Sequence, residues 1–209
     1  MSVDKFIRLN TVLKLPDKVA EQAIALSCEI AKDNKAVFVL DGIQFHPHIT
    51  VYSPEYPEKN LDNVLENTEE IAKSTEKVKL IFEQIDTKQG FIVVGFVFSS
   101  EIKRLHERVV EILNPLRESY LKGKYEASDY RMKLSQEKKE NIIKYGYPGA
   151  MALYNPHLSI IRLEDEFLAE KVAETIKWNA VEFVVDELAV YAMGENGTCK
   201  KLVREFALR

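Results

Sequence analysis

Two four-residue segments of this chain read alike: His48-Ile49-Thr50-Val51 and His157-Leu158-Ser159-Ile160, set 109 positions apart. Each is histidine, apolar, hydroxyl, apolar, and each follows a proline, Pro47 or Pro156. The chain has four histidines, so half of them fall in these copies. A matched pair of imidazoles suits acid–base work at a phosphodiester, where the nucleophile must lose a proton and the leaving oxygen must gain one. An unperturbed pKa of about 6.5 lets one imidazole be neutral while the other is protonated near neutral pH. Each such transfer contributes roughly 10²–10⁴-fold to rate. The hydroxyls of Thr50 and Ser159 supply hydrogen bonds for the non-bridging oxygens, where charge changes in the transition state.

The elements that carry these groups must be strands. Residues two apart in a strand share a face, so Gln44, His46, His48, Thr50 and Tyr52 fall on one side and Phe45, Ile49 and Val51 on the other. The second copy alternates in the same way, with Asn155, His157 and Ser159 opposite Leu158 and Ile160. Strands are expected at about 43–52 and 152–162 for the two motifs. Others are expected at Phe6–Leu13, Val37–Leu40, Leu80–Phe82, Phe91–Phe98, Val181–Tyr191 and Lys201–Leu208. Apolar spacings of three and four mark helices from Val19 to about Asp33, over Leu61–Ile71, after a Ser99 cap, and from Glu164 to about Lys177. Both motifs recur within the same strand and helix order. That predicts an α+β fold of two pseudo-symmetric lobes over residues 1–209, each an antiparallel sheet with flanking helices around a central cleft.

Between Tyr120 and Met151 the pattern weakens into a charged insertion or lid, with one short helix expected over Gln136–Ile143. Arg117 to Lys144 holds eight basic and five acidic residues, an excess of three positive charges in a chain of net charge −4. Arg131 and Lys133 are its candidate phosphate contacts, and Tyr52 on the polar face of the first motif is a candidate base contact. Tyr154 points with the apolar side of its strand, Tyr191 is a further aromatic, and His106 reads as a partly exposed helix residue. His46 and His48 alone lack the third ligand a metal site needs, so neither metal nor cofactor is expected. A net negative chain with pI near 5.7 excludes an extended nucleic-acid footprint but admits a single nucleotide or RNA end. Cys28 and Cys199 fit no disulfide or zinc pattern. With no signal peptide and no apolar span, a cytoplasmic monomer is expected.

The motif pair resembles the signature of the two-histidine (2H) phosphoesterase superfamily, which includes the 2'-5' RNA ligase-like proteins and the cyclic phosphodiesterases. The resemblance implies a bilobal α+β fold and a metal-independent phosphodiesterase acting on 2',3'-cyclic phosphates, 2'-5' linkages or cyclic nucleotides. It carries the catalytic roles to His48 and His157 and the phosphate contacts to Thr50 and Ser159. The alternative is a binding module that holds a nucleotide or RNA end in the same cleft without turnover.

Overall fold

A computed structural model describes residues 5–121, 123–126 and 132–209. Its strands are β1 (Phe6–Lys14), β2 (Ala36–Val39), β3 (His48–Tyr52), β4 (Glu55–Pro57), β5 (Val78–Lys88), β6 (Phe91–Phe96), β7 (His157–Leu163), β8 (Glu182–Val185), β9 (Glu187–Met193) and β10 (Cys199–Ala207). They join into a single sheet, in the order β10-β9-β1-β3-β7-β6-β5-β8, with β4 added to β1 and β2 to β7. Every pairing is antiparallel.

The sheet divides into two halves at β3 and β7, the strands that open on the motif histidines. Ile49 pairs with Leu158 across this seam, and each is the second residue of its motif. The ladders on either side repeat one another. Leu13, Val12 and Thr11 of β1 face Ile49, Thr50 and Tyr52, so Val51 is skipped. Val94, Val93 and Ile92 of β6 face Leu158, Ser159 and Ile161, so Ile160 is skipped. Each motif strand therefore carries a β-bulge at its fourth position, which bends the strand and raises its twist.

Four helices cover the outer face: α1 (Asp17–Asp33), α2 (Leu61–Lys73), α3 (Ser100–Leu113) and α5 (Glu166–Ala173), while α4 (Gln136–Tyr145) lies in the insertion. α1 follows β1 yet packs on β7, and α3 follows β6 yet packs on β3, so each half lends its first helix to the other. The apolar spacing of α1 explains the choice of face, since Val19, Ala23 and Ile30 are buried along one side. Ser99 caps α3 by accepting from the Ile102 amide, and Ser135 caps α4 through the Lys138 amide. The β5–β6 hairpin turns at Gln89-Gly90, both at positive φ. A Cβ on Gly90 would lie 2.4 Å from the Leu163 carbonyl oxygen, so glycine is required there.

Several boundaries differ from the sequence pattern. β3 starts at His48 rather than near residue 43, because Asp41 gathers the amides of Ile43, Gln44 and Phe45 into a turn and Pro47 lacks a ladder donor. β7 starts at His157 for the same proline reason, after a 3₁₀ turn at Met151–Leu153. The segment Val181–Tyr191 is two strands meeting at Asp186: β8 pairs with β5, and β9 with β1 and β10. α5 ends at Ala173, four residues short of the expected Lys177.

Candidate active site

The polar sides of β3 and β7 face the same way at the seam, the side free of the outer helices. His48, Thr50, His157 and Ser159 are all half-buried there, whereas Ile49, Val51, Leu158 and Ile160 are buried behind them. Around the Ile49–Leu158 pair an antiparallel register sets His48 across from Ser159 and Thr50 across from His157. The histidines are then diagonal neighbours, with backbones about 7–8 Å apart. That gap suits a phosphate between two ring nitrogens.

Both rings are tethered identically. His48 Nδ1 lies 2.8 Å from the His46 carbonyl oxygen, and His157 Nδ1 lies 2.8 Å from the Asn155 carbonyl oxygen. A carbonyl only accepts, so Nδ1 carries the hydrogen in each case and Nε2 is left to exchange a proton. The residue two before each histidine thus selects the tautomer. Burial pushes His48 down to about 4, helped by the positive charges of His157 and His46 and opposed by the His46 carbonyl and a Gly197 backbone contact. His48 is neutral at physiological pH. Asn10, fully buried on β1, donates from Nδ2 to Thr50 Oγ1 at 2.9 Å, which leaves the threonine hydrogen free to point outward.

The floors beneath the two copies differ. On the first side Lys14, across from His48 on β1, is paired with Glu187 and Glu205, and beside Thr50 lie Val12, Ala189, Tyr191 and Cys199, a buried apolar patch, with the His46 ring 5.2 Å from that of Tyr191. Burial pushes the Tyr191 hydroxyl up to about 12. The β9–β10 turn closes this side: His46 donates its amide to the Cys199 carbonyl, and Gly197 touches the His48 ring. In the other half Gln84, Asp86 and Lys88 of β5 are exposed, and Phe91 and Val93 of β6 are half-buried. Arg162 lies on this open face, its guanidinium 5.0 Å from the Phe91 ring centre and its Nη1 donating to Asn196 Oδ1 at 2.9 Å. Among the described residues no group of three or more His, Cys, Asp or Glu side chains could hold a metal ion.

Tyr52 is corrected from a cleft residue to a core residue. The bulge at Val51 turns it onto the apolar side, where it is 0% exposed and donates to Asn114 Oδ1 and the Tyr145 carbonyl. His106 is likewise 0% exposed rather than partly open: Nδ1 donates to the Val51 carbonyl and Nε2 accepts the Met151 amide. Arg131 lies outside the described residues. Lys133 is exposed on the turn before α4, with no hydrogen bond or ion pair to the motif residues. Asn10 and Arg162 escaped the sequence pattern; the turn at Gly194-Glu195-Asn196-Gly197 is legible as the turn of the closing hairpin, but its contact with His48 is not. Arg162 was recoverable only by knowing of the bulge, since strict alternation puts Ile161 in its place.

Among the described residues no helix is long and apolar enough to cross a membrane. A comparison with curated protein sequences finds no match. Solved structures do share the fold. TT0787 of Thermus thermophilus superposes with TM-score 0.60 at 14% identity, covering 97% of this chain and 98% of its own. Escherichia coli LigT in apo form gives 0.57 at 15% identity, covering 98% of both chains. LigT complexed with 3'-AMP gives 0.55 at 13% identity, again covering 98% of both. Residues 43–197 match the 2'-5' RNA ligase superfamily, a span that opens just before the first motif and closes on the turn over His48; the chain belongs to that family of two-histidine phosphoesterases.

Proposed function

We propose that the chain is a phosphodiesterase that opens a 2',3'-cyclic phosphate, or cleaves a 2'-5' linkage, at a nucleotide or RNA end. The observation that carries this is the paired tether: two histidines on one sheet face, each with Nδ1 held by the carbonyl two residues back and Nε2 left to move a proton. His48, kept neutral by burial, takes the proton of the attacking water as its oxygen bonds to phosphorus. His157, whose tether lies in the open, gives a proton to the ribose oxygen as the bond from phosphorus to that oxygen breaks. Thr50 and Ser159 donate to the non-bridging oxygens. The two imidazoles end with their protonation exchanged, and solvent restores them. The scheme uses a single chain and no metal. The nucleotide named with LigT, 3'-AMP, is of the class proposed here.

The test is turnover of nucleoside 2',3'-cyclic phosphates and 2'-5'-linked dinucleotides in EDTA. His48→Ala and His157→Ala should each lower kcat by roughly 10²–10⁴-fold. Thr50→Val and Ser159→Ala should each cost about 10²-fold or more. Full rate in both histidine variants on a substrate the wild type turns over would refute the assignment. Tight nucleotide binding without product would favour a binding module instead.

A further inference from the structure

The two motif hydroxyls are not held alike. Asn10, on β1, is 0% exposed and lies on the cleft face, two residues from Val12, which pairs with Thr50. Its Nδ2 donates to Thr50 Oγ1 at 2.9 Å and to Cys199 Sγ at 3.6 Å. Burial pushes the Cys199 thiol up, so the sulfur accepts as a neutral thiol. Both amide hydrogens are thereby placed, and turning the amide over would lose them. A threonine oxygen that accepts from Asn10 keeps its own hydrogen for another direction, and the open direction is the cleft. The rest of Thr50 is fixed as well. Tyr154, buried, donates from Oη to the Thr50 carbonyl at 2.8 Å, and a β-branched side chain has few χ1 states.

The second copy has no counterpart to Asn10. Counted from the Ile49–Leu158 seam, β6 repeats β1 place for place: Val94 stands for Leu13, Val93 for Val12 and Phe91 for Asn10. A phenylalanine has no donor to give, and its ring instead takes the Arg162 guanidinium. Among the described residues no side chain hydrogen-bonds to Ser159 Oγ, and serine lacks the second Cβ substituent that stiffens threonine. The Asn10 amide is also costly where it stands. Among the described residues its Oδ1 is buried without a partner, beside the apolar patch of Val12, Ala189, Tyr191 and Cys199 that a leucine would join. Folding alone gives no reason for an amide at that place; holding Thr50 does.

We infer that Asn10 is a positioning residue: it holds the Thr50 hydroxyl as a fixed donor to one phosphate oxygen, while Ser159 turns to follow the phosphate, so the two hydroxyls have unequal parts. A donor already aimed costs no reorganisation when charge develops on that oxygen. The inference rests on the proposed function for its phosphate. Its test is a double-mutant cycle on a nucleoside 2',3'-cyclic phosphate. Asn10→Leu should lower kcat about 10-fold and move KM by less than about 3-fold. Added to Thr50→Val it should cost less than about 2-fold more, and added to Ser159→Ala about 10-fold again. Thermal unfolding should stay within about 3 °C of the wild type, because the lost bonds are offset by removal of an unpaired oxygen. Asn10→Ala, smaller than the native side chain, repeats the cycle without overfilling the site. An equal kcat loss in the Thr50→Val and Ser159→Ala backgrounds, or a loss under about 2-fold in both Asn10 variants, overturns the inference. Calorimetry with inorganic phosphate separates it from the proposed function. There Asn10→Leu should weaken affinity at least about 3-fold with Thr50 in place and leave it unchanged in Thr50→Val. That coupling without turnover is a failure of the proposed function alone; turnover without that coupling is a failure of the inference alone.

Discussion

His106 should make the protein lose stability in mild acid, by an amount its surroundings set. Its two ring nitrogens are committed in opposite senses: Nδ1 donates to the Val51 carbonyl at 2.8 Å, and Nε2 accepts the Met151 amide at 2.7 Å. The ring is also stacked on Tyr154, with centroids 3.9 Å apart and planes 2° from parallel. A second proton would turn Nε2 into a donor facing a donor. Burial pushes the group down to about 4, against the opposing pull of the Val51 carbonyl and the Glu107 charge. With an unfolded value near 6.5, the shift corresponds to at most about 3 kcal/mol of linkage. The sign follows from the depressed folded value. The neutral ring fits above pH 6.5, and the unfolded chain takes up the proton first as pH falls. Between pH 7.5 and pH 5 the protein should lose about 2 kcal/mol from this residue.

Urea unfolding of the wild type and His106→Gln at those two pH values isolates the effect. Carboxylates and His48 titrate in both proteins and cancel in the difference. At pH 7.5 the variant should be about 2–3 kcal/mol less stable, having lost a buried ring and its two hydrogen bonds. At pH 5 that gap should narrow by about 2 kcal/mol, because only the wild type carries the penalty. A gap unchanged within about 0.5 kcal/mol would mean that His106 does not titrate between folded and unfolded states as its contacts require. Because His106 holds the carbonyl of the bulged Val51, the variant should also lose kcat more than it gains KM.

Tyr52→Phe should cost about 1–2 kcal/mol by leaving the Tyr145 carbonyl without a donor and Asn114 Oδ1 with Arg117 alone; KM should not move, and a large rise in KM would restore Tyr52 to the cleft. Arg117 is buried, and its guanidinium donates to the Tyr120, Ile143 and Lys144 carbonyls and to Asn114 Oδ1, tying α4 to the end of α3. Arg117→Ala should therefore destabilise the fold by about 3 kcal/mol in thermal or urea unfolding, and a loss under about 1 kcal/mol would contradict that role. If His48 is the base, the acid limb of kcat/KM should come only as pH drops toward 4, since the base must be neutral. An acid limb at pH 6.5 or above would reassign that role.

The histidine pairs were legible because both copies alternate cleanly through their first three residues. Alternation then fails at the same place in each. The extra residue, Val51 or Ile160, is one more apolar letter in an apolar run, and nothing in that run marks a bulge. Its consequences are opposite in the two halves: it takes Tyr52 off the polar face and brings Arg162 onto it. Local chemistry did mark the Ser99 cap, since a cap needs a particular residue type at one position. Asn10 and His106 lay beyond such patterns. Their partners are Thr50, 40 residues away, and Val51, 55 residues away, so only the closed sheet shows what they hold.

The symmetry of the motif also shows why its surroundings matter to mechanism. Two histidines with identical tethers and two hydroxyls with identical placement cannot by themselves tell one side of a phosphate from the other. Direction has to come from what lies beneath and beside them. On the His48 side an apolar patch beside Thr50 and the β9–β10 turn bury the ring, which lowers its affinity for a proton. Beside His157 the face is open and runs on to cations. In the proposed reaction the first asymmetry selects the base and the second selects the strand on which the rest of the substrate lies. Arg162 joins the two, because its guanidinium, on the open face, also holds Asn196 in the turn whose Gly197 touches His48.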